Sequence, residues 1–136
     1  MQPDASPTVF LVDDSPLIRD RLRELLELAG AVGIVGEAAT VASAIERIQV
    51  LNPEFVVLDY GLPDGTGLDV LRALGSAMAG TTFIVLTNHA NDQLRDMCLR
   101  AGARYFLDKS TEFERLPVIL ATAKPKADIS TPASAS

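Results

Sequence analysis

Three uninterrupted apolar runs constrain the fold of this chain more than any other feature of its sequence. They lie at residues 9–12, 55–58 and 83–86. A strand with one face in solvent alternates apolar and polar residues, whereas a strand covered on both faces is apolar throughout. The runs therefore predict the central strands of a parallel sheet that lies between two layers of helices.

Amphipathic patterns between the strand signals predict five helices. Apolar residues recur at helical spacing within residues 17–29, 41–48, 68–78, 94–101 and 113–120. Ser15 is expected to cap the first helix, which should stop at Gly30. Thr111 and Glu114 have the spacing of a capping box at the start of the fifth helix. Pro117 cannot donate a backbone hydrogen bond, so we expect a kink or a late start there.

Weaker strand signals at residues 33–36 and 105–107 complete the alternation of strand and helix. These two strands are expected nearer the edges of the sheet. Crossover connections between parallel strands are right-handed, and helices then cover both faces. The alternation therefore predicts an α/β fold with a doubly wound, five-stranded parallel sheet.

The composition excludes several classes of protein. Twelve Lys and Arg against eighteen Asp and Glu give a formal charge of −6, which opposes the phosphates of nucleic acids. No apolar stretch could cross a bilayer, and the first seven residues lack the features of a signal peptide. Cys98 is the single cysteine and lies in a helical pattern, which favours a buried thiol. We therefore expect a cytoplasmic protein without direct nucleic-acid binding or membrane insertion.

The two ends of the chain lack hydrophobic periodicity. We expect residues 1–7 to be a disordered N-terminus and residues 8–123 to form one domain. Residues 124–136 are rich in Pro, Ser and Ala, as in a disordered tail or the stub of a linker. A complete single-domain protein and a domain cut from a longer chain would share this pattern.

Polar side chains follow four of the predicted strands. They are Asp13 and Asp14, Asp59, Thr87 and Lys109. In a parallel α/β sheet the carboxyl ends of the strands share one edge, where ligands bind. Each residue alone could be a helix cap or a solvated side chain, but helix capping does not explain two adjacent aspartates and a third on the central strand. We expect all five side chains to lie in one crevice.

The charges of this crevice indicate a metal ion. Three carboxylates and one ammonium leave two net negative charges, and two carboxylates about 4–5 Å apart repel by roughly 3–4 kcal/mol at an effective dielectric near 20. Oxygen ligands without Cys or His favour Mg²⁺ or a similar hard cation. Beside such an ion Asp59 could accept a phosphoryl group, with its oxygens bound by Thr87 and Lys109.

In combination, five motifs resemble the receiver domain of two-component response regulators over about residues 8–123. The motifs are Val12-Asp13-Asp14, Leu58-Asp59, Leu62-Pro63-Asp64-Gly65-Thr66-Gly67, Leu86-Thr87 and Asp108-Lys109. The resemblance implies a flavodoxin-like fold with strand order 2-1-3-4-5. It also implies that a sensor histidine kinase or a histidine phosphotransfer protein phosphorylates Asp59. A domain of this kind catalyses its own phosphorylation and dephosphorylation, is not an enzyme acting on other substrates, and signals to a protein target that the sequence does not identify.

The resemblance further implies roles for individual residues. Mg²⁺ would contact Asp14, Asp59 and the backbone carbonyl of Gly61, with Asp13 acting through water. Thr87 and Phe106 match the family's switch pair, in which phosphorylation draws the threonine inward and lets the aromatic ring rotate. Phe106 is also expected to be a core residue of the fifth strand.

The chain departs from the commonest receiver pattern after the lysine, where Ser110 replaces a proline. A cis peptide before a residue other than proline costs about 2.5–4 kcal/mol, so we expect a trans bond there and a loop of different shape. Gly61 and His89 occupy positions that tune phosphoryl lifetime in receiver domains. His89 is expected to be an exposed loop residue.

Two other functions fit parts of the sequence. A phosphohydrolase with an aspartate nucleophile also combines a strand-end Asp with Mg²⁺. Such enzymes resemble an Asp-x-Asp pair with a cap insertion, whereas here Tyr60 and Gly61 follow Asp59. A phosphate-independent binding module would keep the fold but leave the acidic residues without a role, which the complete set of five argues against.

Overall fold

The computed structural model describes residues 7–28 and 33–122. Their elements are β1 (Thr8–Val12), α1 (Pro16–Leu28), β2 (Gly33–Ala38), α2 (Val41–Leu51), β3 (Phe55–Asp59), β4 (Gly61–Leu62), β5 (Gly65–Thr66), α3 (Gly67–Leu74), β6 (Thr82–Thr87), α4 (Asp92–Arg100), β7 (Ala103–Asp108), a 3₁₀ turn (Phe113–Arg115) and α5 (Leu116–Thr122). None of the described helices is long and apolar enough to span a bilayer.

Five parallel strands form one sheet in the order β2-β1-β3-β6-β7. Strands β4 and β5 are a separate antiparallel pair of two residues each, directly after β3. Counted without that pair, the order is 2-1-3-4-5, so the predicted topology is confirmed. All residues of β3 and β6 are buried, as expected for strands covered on both faces.

Two hydrophobic clusters lie on opposite faces of the sheet. On one face, α2, α3 and α4 cover the side chains of Phe10, Val56 and Val85. On the other face, α1 and α5 cover those of Leu11, Val57 and Ile84. Cys98 is fully buried in the first cluster, which confirms the expected position of its thiol.

Most helix termini follow the sequence signals, with two exceptions. The third helix was predicted to reach Met78, but α3 ends at Leu74, where Gly75 disfavours a further helical turn. Ser15 accepts a hydrogen bond from the backbone N–H of Ile18, as expected of a cap. The capping box expected at Thr111 is wrong, because the 3₁₀ turn comes first and α5 begins at Leu116. The late start is confirmed. Pro117 lies in the first turn of α5, where its missing N–H breaks no intrahelical hydrogen bond.

Several expectations concern residues outside the described part of the chain. They are the end of the first helix at Gly30 and the disorder expected for residues 1–7 and 124–136, except that residue 7 itself is described.

Candidate metal centre

The structure brings Asp13, Asp14, Asp59, Thr87 and Lys109 to one cleft of about 860 Å³ at the carboxyl edge of the sheet. Asp13 and Asp14 follow β1, Asp59 and Thr87 are the last residues of β3 and β6, and Lys109 follows β7. Gly61 and His89 line the same cleft, and both are exposed. Glu37, near the end of β2, is not among the lining residues, in agreement with the position of β2 at the edge of the sheet.

Backbone hydrogen bonds that extend past the strand ends hold the acidic and basic residues in place. The N–H of Asp13 donates to the carbonyl of Ala38 (3.0 Å), and the N–H of Lys109 donates to the carbonyl of Thr87 (2.7 Å). Asp59 pairs in register with Leu86 of β6. The side chains therefore project from the ends of a rigid ladder, which limits how far they can move apart.

Gly67 packs directly on the backbone of Asp59. A Cβ atom at position 67 would lie 2.8 Å from the carbonyl oxygen of Asp59, closer than real Cβ contacts allow. The N–H of Gly67 donates to the carbonyl of Tyr60 (2.6 Å). The glycine therefore lets the start of α3 approach the backbone next to the central carboxylate.

Three carboxylates in the cleft could hold a metal ion. Asp13, Asp14 and Asp59 each offer an oxygen, and these oxygens lie within 4.8 Å of one another. Asp13 and Asp59 are buried, and Asp14 is exposed. A cluster of carboxylate oxygens open to solvent on one side fits Mg²⁺, which prefers oxygen ligands and keeps part of its water shell. The three carboxylates therefore converge as expected, whereas their role as metal ligands and that of the Gly61 carbonyl stay predictions.

Lys109 bridges two of these carboxylates. Its Nζ atom lies 2.8 Å from Oδ2 of Asp13 and 3.0 Å from Oδ1 of Asp59. The Lys109 side chain is only 11% exposed, so these charge-assisted hydrogen bonds are shielded from water. One ammonium facing three carboxylates leaves the cleft negatively charged, which favours binding of a cation.

The protonation equilibria reflect this charge balance. Burial of Asp59 and the neighbouring charge of Asp13 raise the pKa of the Asp59 carboxyl above its usual value, although Lys109 opposes the shift. For Lys109, burial acts to lower the pKa, but its hydrogen bonds to Asp13 and Asp59 outweigh burial and raise it. The ionised form of Asp59 is therefore costly in the metal-free site, and a bound cation would stabilise it.

Thr87 is buried at the end of β6 with its side chain toward the cleft. Its Oγ1 accepts a hydrogen bond from the N–H of His89 (3.2 Å). Asn91, rather than Thr87, caps α4 by accepting from the N–H of Leu94. Among the described residues no hydrogen bond uses the Thr87 hydroxyl hydrogen, so that hydrogen is available to a group bound in the cleft.

Phe106 lies outside the lining of the cleft. It is 8% exposed and packs in the cluster beneath α2, α3 and α4. In the sheet it pairs with Val85, two residues before Thr87. Its position as a core residue is therefore observed, whereas its rotation remains a prediction.

The loop after Lys109 is held by side-chain hydrogen bonds. The described peptide bonds, including that between Lys109 and Ser110, are trans, as expected. The N–H and hydroxyl of Ser110 both donate to Oδ1 of Asp108, at 2.8 and 2.6 Å. The hydroxyl contact is the main reason that the pKa of Asp108 is lowered. Glu112 in turn accepts from the N–H of Asp108 (2.8 Å). Together these hydrogen bonds fix the turn at Ser110, beside Lys109.

Asp64 ties the loop after β3 to α2, a contact that the sequence does not predict. Its carboxylate accepts hydrogen bonds from the N–H groups of Val41 (2.7 Å) and Ala42 (3.1 Å). The bond to Val41 is the main cause of the lowered pKa of Asp64. The only signal in the sequence is an Asp within a turn-forming Pro-Asp-Gly segment, and nothing in that segment names its partner.

Comparison with known proteins identifies one family. The model of the response regulator receiver domain matches residues 9–123. The DNA-binding transcriptional activator DevR/DosR of Mycobacterium tuberculosis is 38% identical over 101 residues, which cover 74% of this chain and 46% of that protein. The nitrate/nitrite response regulator protein NarL of Escherichia coli is 32% identical over 111 residues, 80% of this chain and 50% of that protein. The chain thus spans about half the length of these curated relatives.

Solved structures share the fold. The signal receiver domain of the response regulator NarL from Mycobacterium tuberculosis superposes with a TM-score of 0.78 at 31% identity, covering 90% of this chain and all of that one. A CheX-CheY-BeF3-Mg²⁺ complex from Borrelia burgdorferi gives a TM-score of 0.76 at 23% identity, covering 86% of this chain and 90% of that chain. The second likeness concerns the fold alone.

Proposed function

The chain belongs to the response regulator receiver domain family, and we propose that it is a switch in which Asp59 accepts a phosphoryl group in a Mg²⁺-dependent reaction. The observation that supports this most directly is the arrangement of Asp13, Asp14 and Asp59, whose oxygens lie within 4.8 Å of one another beside Lys109. A structural role in capping helices would not require three convergent carboxylates.

In the proposed reaction each group of the cleft has a separate task. Mg²⁺, held by Asp14, Asp59 and the Gly61 carbonyl and by Asp13 through water, would offset the negative charge of the phosphoryl oxygens. A carboxylate oxygen of Asp59 bonds to phosphorus, and the bond between phosphorus and a donor imidazole nitrogen breaks. The nitrogen keeps the electron pair and takes up a proton. Lys109, already 3.0 Å from Asp59, and the Thr87 hydroxyl then bind phosphoryl oxygens.

The donor in this proposal is a sensor histidine kinase or a histidine phosphotransfer protein, and the same site hydrolyses the acyl phosphate to reset the switch. We further propose that the domain acts in the cytoplasm and signals to a protein target. The formal charge of −6 disfavours direct contact of this domain with nucleic acid. The relatives DevR/DosR and NarL are about twice as long as the matched region.

The switch in this proposal links Thr87 to Phe106. A phosphoryl group adds about −1.5 to −2 charges and attracts the Thr87 hydroxyl. Movement of Thr87 would change the space beside Val85 and Phe106, which pair in the sheet just below it. Because Phe106 lies in the same hydrophobic cluster as Cys98 of α4, its rotation would alter the face formed by α4, β7 and α5.

Labelling with a small phosphodonor tests the proposed chemistry. Purified protein is incubated with Mg²⁺ and acetyl phosphate, and its intact mass is measured. We expect the mass of one added phosphoryl group in the parent, and none in Asp59→Asn or with EDTA. Asp64→Asn is the matched control, because Asp64 is close in sequence but does not line the cleft, and it should label like the parent. An unlabelled parent, or equal labelling of Asp59→Asn, would contradict the proposal.

A further inference from the structure

The backbone of Asp13 is held by contacts that do not involve the carboxylates of the cleft. Its N–H donates to the carbonyl of Ala38 at the end of β2 (3.0 Å). Its carbonyl accepts a hydrogen bond from Nη1 of Arg19 (2.5 Å), one turn into α1. The N–H and the carbonyl of Asp13 are therefore both hydrogen-bonded, and the next residue, Asp14, lines the cleft.

Arg19 is itself fixed by Glu37 of β2. Nε of Arg19 donates to Oε1 of Glu37 at 2.8 Å, and the two side chains are only 18% and 23% exposed. The other carboxylate oxygen of Glu37 pairs with Arg23, and the backbone carbonyl of Glu37 accepts from Arg47. A planar guanidinium that is held through Nε can present Nη1 in one direction only, toward the carbonyl of Asp13.

The backbone at Asp13 and Asp14 needs such an anchor because the carboxylates that must converge in the cleft repel one another. The carboxylates of Asp13, Asp14 and Asp59 lie within 4.8 Å of one another and repel. Lys109 and the N–H of Ser15 hold the carboxylate of Asp13. Asp14 is exposed, and within the described residues no hydrogen bond uses its carboxylate, so the path of the backbone directs its side chain. A loop free to relax would separate the carboxylates before a cation could bind between them.

We propose that Arg19, oriented by Glu37, is a positioning residue for the metal site, which acts through the carbonyl of Asp13 to direct the carboxylates of Asp13 and Asp14 into the cleft. This inference rests on the proposed Mg²⁺-dependent function and adds two residues to it that touch neither the metal nor the phosphoryl group.

Charge and positioning predict opposite results when Arg19 is neutralised. Arg19 is a cation near an acidic site, so loss of its charge alone would strengthen Mg²⁺ binding. Loss of its hydrogen bond to Asp13 would loosen the loop and weaken Mg²⁺ binding. Arg23 is the matched control: it lies on the same helix and pairs with the same Glu37, but within the described residues it does not reach Asp13.

The test is a calorimetric titration of the full chain with Mg²⁺ alone. We expect Arg19→Gln to raise the Kd for Mg²⁺ by about tenfold, the lower end of what outer-shell partners contribute to metal affinity. Arg23→Gln should leave the Kd within about twofold of the parent, because it keeps the bond between Arg19 and Asp13 and its charge acts through solvent. Arg19→Lys should give an intermediate Kd, since one ammonium cannot serve Asp13 and Glu37 with the geometry of the guanidinium.

Three results would overturn the inference. They are an unchanged or lower Kd in Arg19→Gln, an equal rise in Arg23→Gln, and, if Arg19→Gln does not fold, a parent-like Kd in Arg19→Lys. In each of them the parent still binds Mg²⁺ and labels, so the proposed function stands. A parent that neither binds Mg²⁺ nor labels would instead refute the proposed function and the inference together.

Discussion

Replacing Asp59 by Asn should stabilise the metal-free protein, because it removes one of three mutually repelling carboxylates while keeping the shape of the side chain. In the structure the oxygens of Asp13, Asp14 and Asp59 lie within 4.8 Å of one another. At an effective dielectric near 20, each such pair costs at least about 3.5 kcal/mol. Solvent reduces the part due to the exposed Asp14.

Lys109 offsets most of this repulsion. At 3.0 Å its attraction to Asp59 is worth about 5.5 kcal/mol at the same dielectric. Burial of the Asp59 charge adds a further cost, which is also the leading cause of the raised pKa of Asp59. The balance is a net cost of about 1–2 kcal/mol for ionised Asp59, which corresponds to a gain of roughly 3–8 °C in Tm for Asp59→Asn.

The sign of the pH dependence follows from the raised pKa of Asp59. The folded state favours the protonated carboxyl of Asp59 over the ionised one. The stability that this contributes is complete below the ordinary pKa of 3.8 and is lost as pH rises through the raised pKa. The advantage of Asp59→Asn should therefore be greatest at neutral pH and shrink on acidification. Mg²⁺ should also reduce the stability advantage of Asp59→Asn. At a Mg²⁺ concentration ten times Kd, binding stabilises the parent by about 1.4 kcal/mol and the variant by less.

Thermal unfolding followed by circular dichroism, in EDTA and in Mg²⁺, measures these effects. Asp20→Asn on α1 is the matched control, because it changes the net charge equally, is exposed and does not line the cleft. A Tm of Asp59→Asn in EDTA at or below that of the parent would show that the ionised Asp59 carboxylate carries no net cost in the cleft. A gain equal to that of Asp20→Asn would show that net charge, rather than the cleft, is responsible.

Three further substitutions test separate contacts of the site. Lys109→Met leaves the carboxylates of Asp13 and Asp59 without their ammonium, so the unfolding free energy from urea titration in EDTA should fall by about 3–5 kcal/mol, and a fall below 1 kcal/mol would contradict this. Gly67→Ala places a Cβ 2.8 Å from the Asp59 carbonyl, which should cost about 1–3 kcal/mol by the same titration and slow labelling by acetyl phosphate; a parent-like variant would show that the contact relaxes freely. Asp64→Ala removes two acceptors from the start of α2 and should lower the unfolding free energy by the same titration while labelling persists, whereas loss of labelling would place Asp64 in the chemistry.

The sequence predicts the sheet well because its apolar runs report burial on both faces. Strands β3 and β6 are buried throughout, and the alternation of strand and helix places them in one parallel sheet. The strand order itself was implied by the family resemblance and not by the alternation. The edges are less predictable. One residue of each edge strand, Val35 in β2 and Arg104 in β7, has no partner in the register. Such bulges disrupt an exposed edge without changing composition or periodicity, so no pattern indicates them.

The start of α5 shows how a local pattern can fail. Thr111 and Glu114 have the spacing of a capping box, but the neighbouring Glu112 accepts from the N–H of Asp108 and pairs with Arg115. These contacts favour the 3₁₀ turn that precedes α5. Spacing alone cannot rank two competing sets of hydrogen bonds.

The residues of the site were predictable because each one lies at a strand end, and the topology of a parallel sheet brings strand ends together. The contacts that support them were not. Arg19 reaches the carbonyl of Asp13, and Asp64 reaches the backbone of α2. Both contacts depend on the relative positions of separate elements, so they have no signature in the spacing of the sequence.

Chemical identification of the phosphorylated residue is the most direct test of whether Asp59 is the phosphoryl acceptor. Protein labelled with acetyl phosphate in Mg²⁺ is reduced with borohydride, which converts an aspartyl phosphate to homoserine, and its peptides are mapped by mass spectrometry. We expect homoserine at position 59 only, and none without Mg²⁺. Homoserine at another aspartate, or its formation at position 59 in EDTA, would contradict the assignment of Asp59 as the acceptor in a metal-dependent cleft.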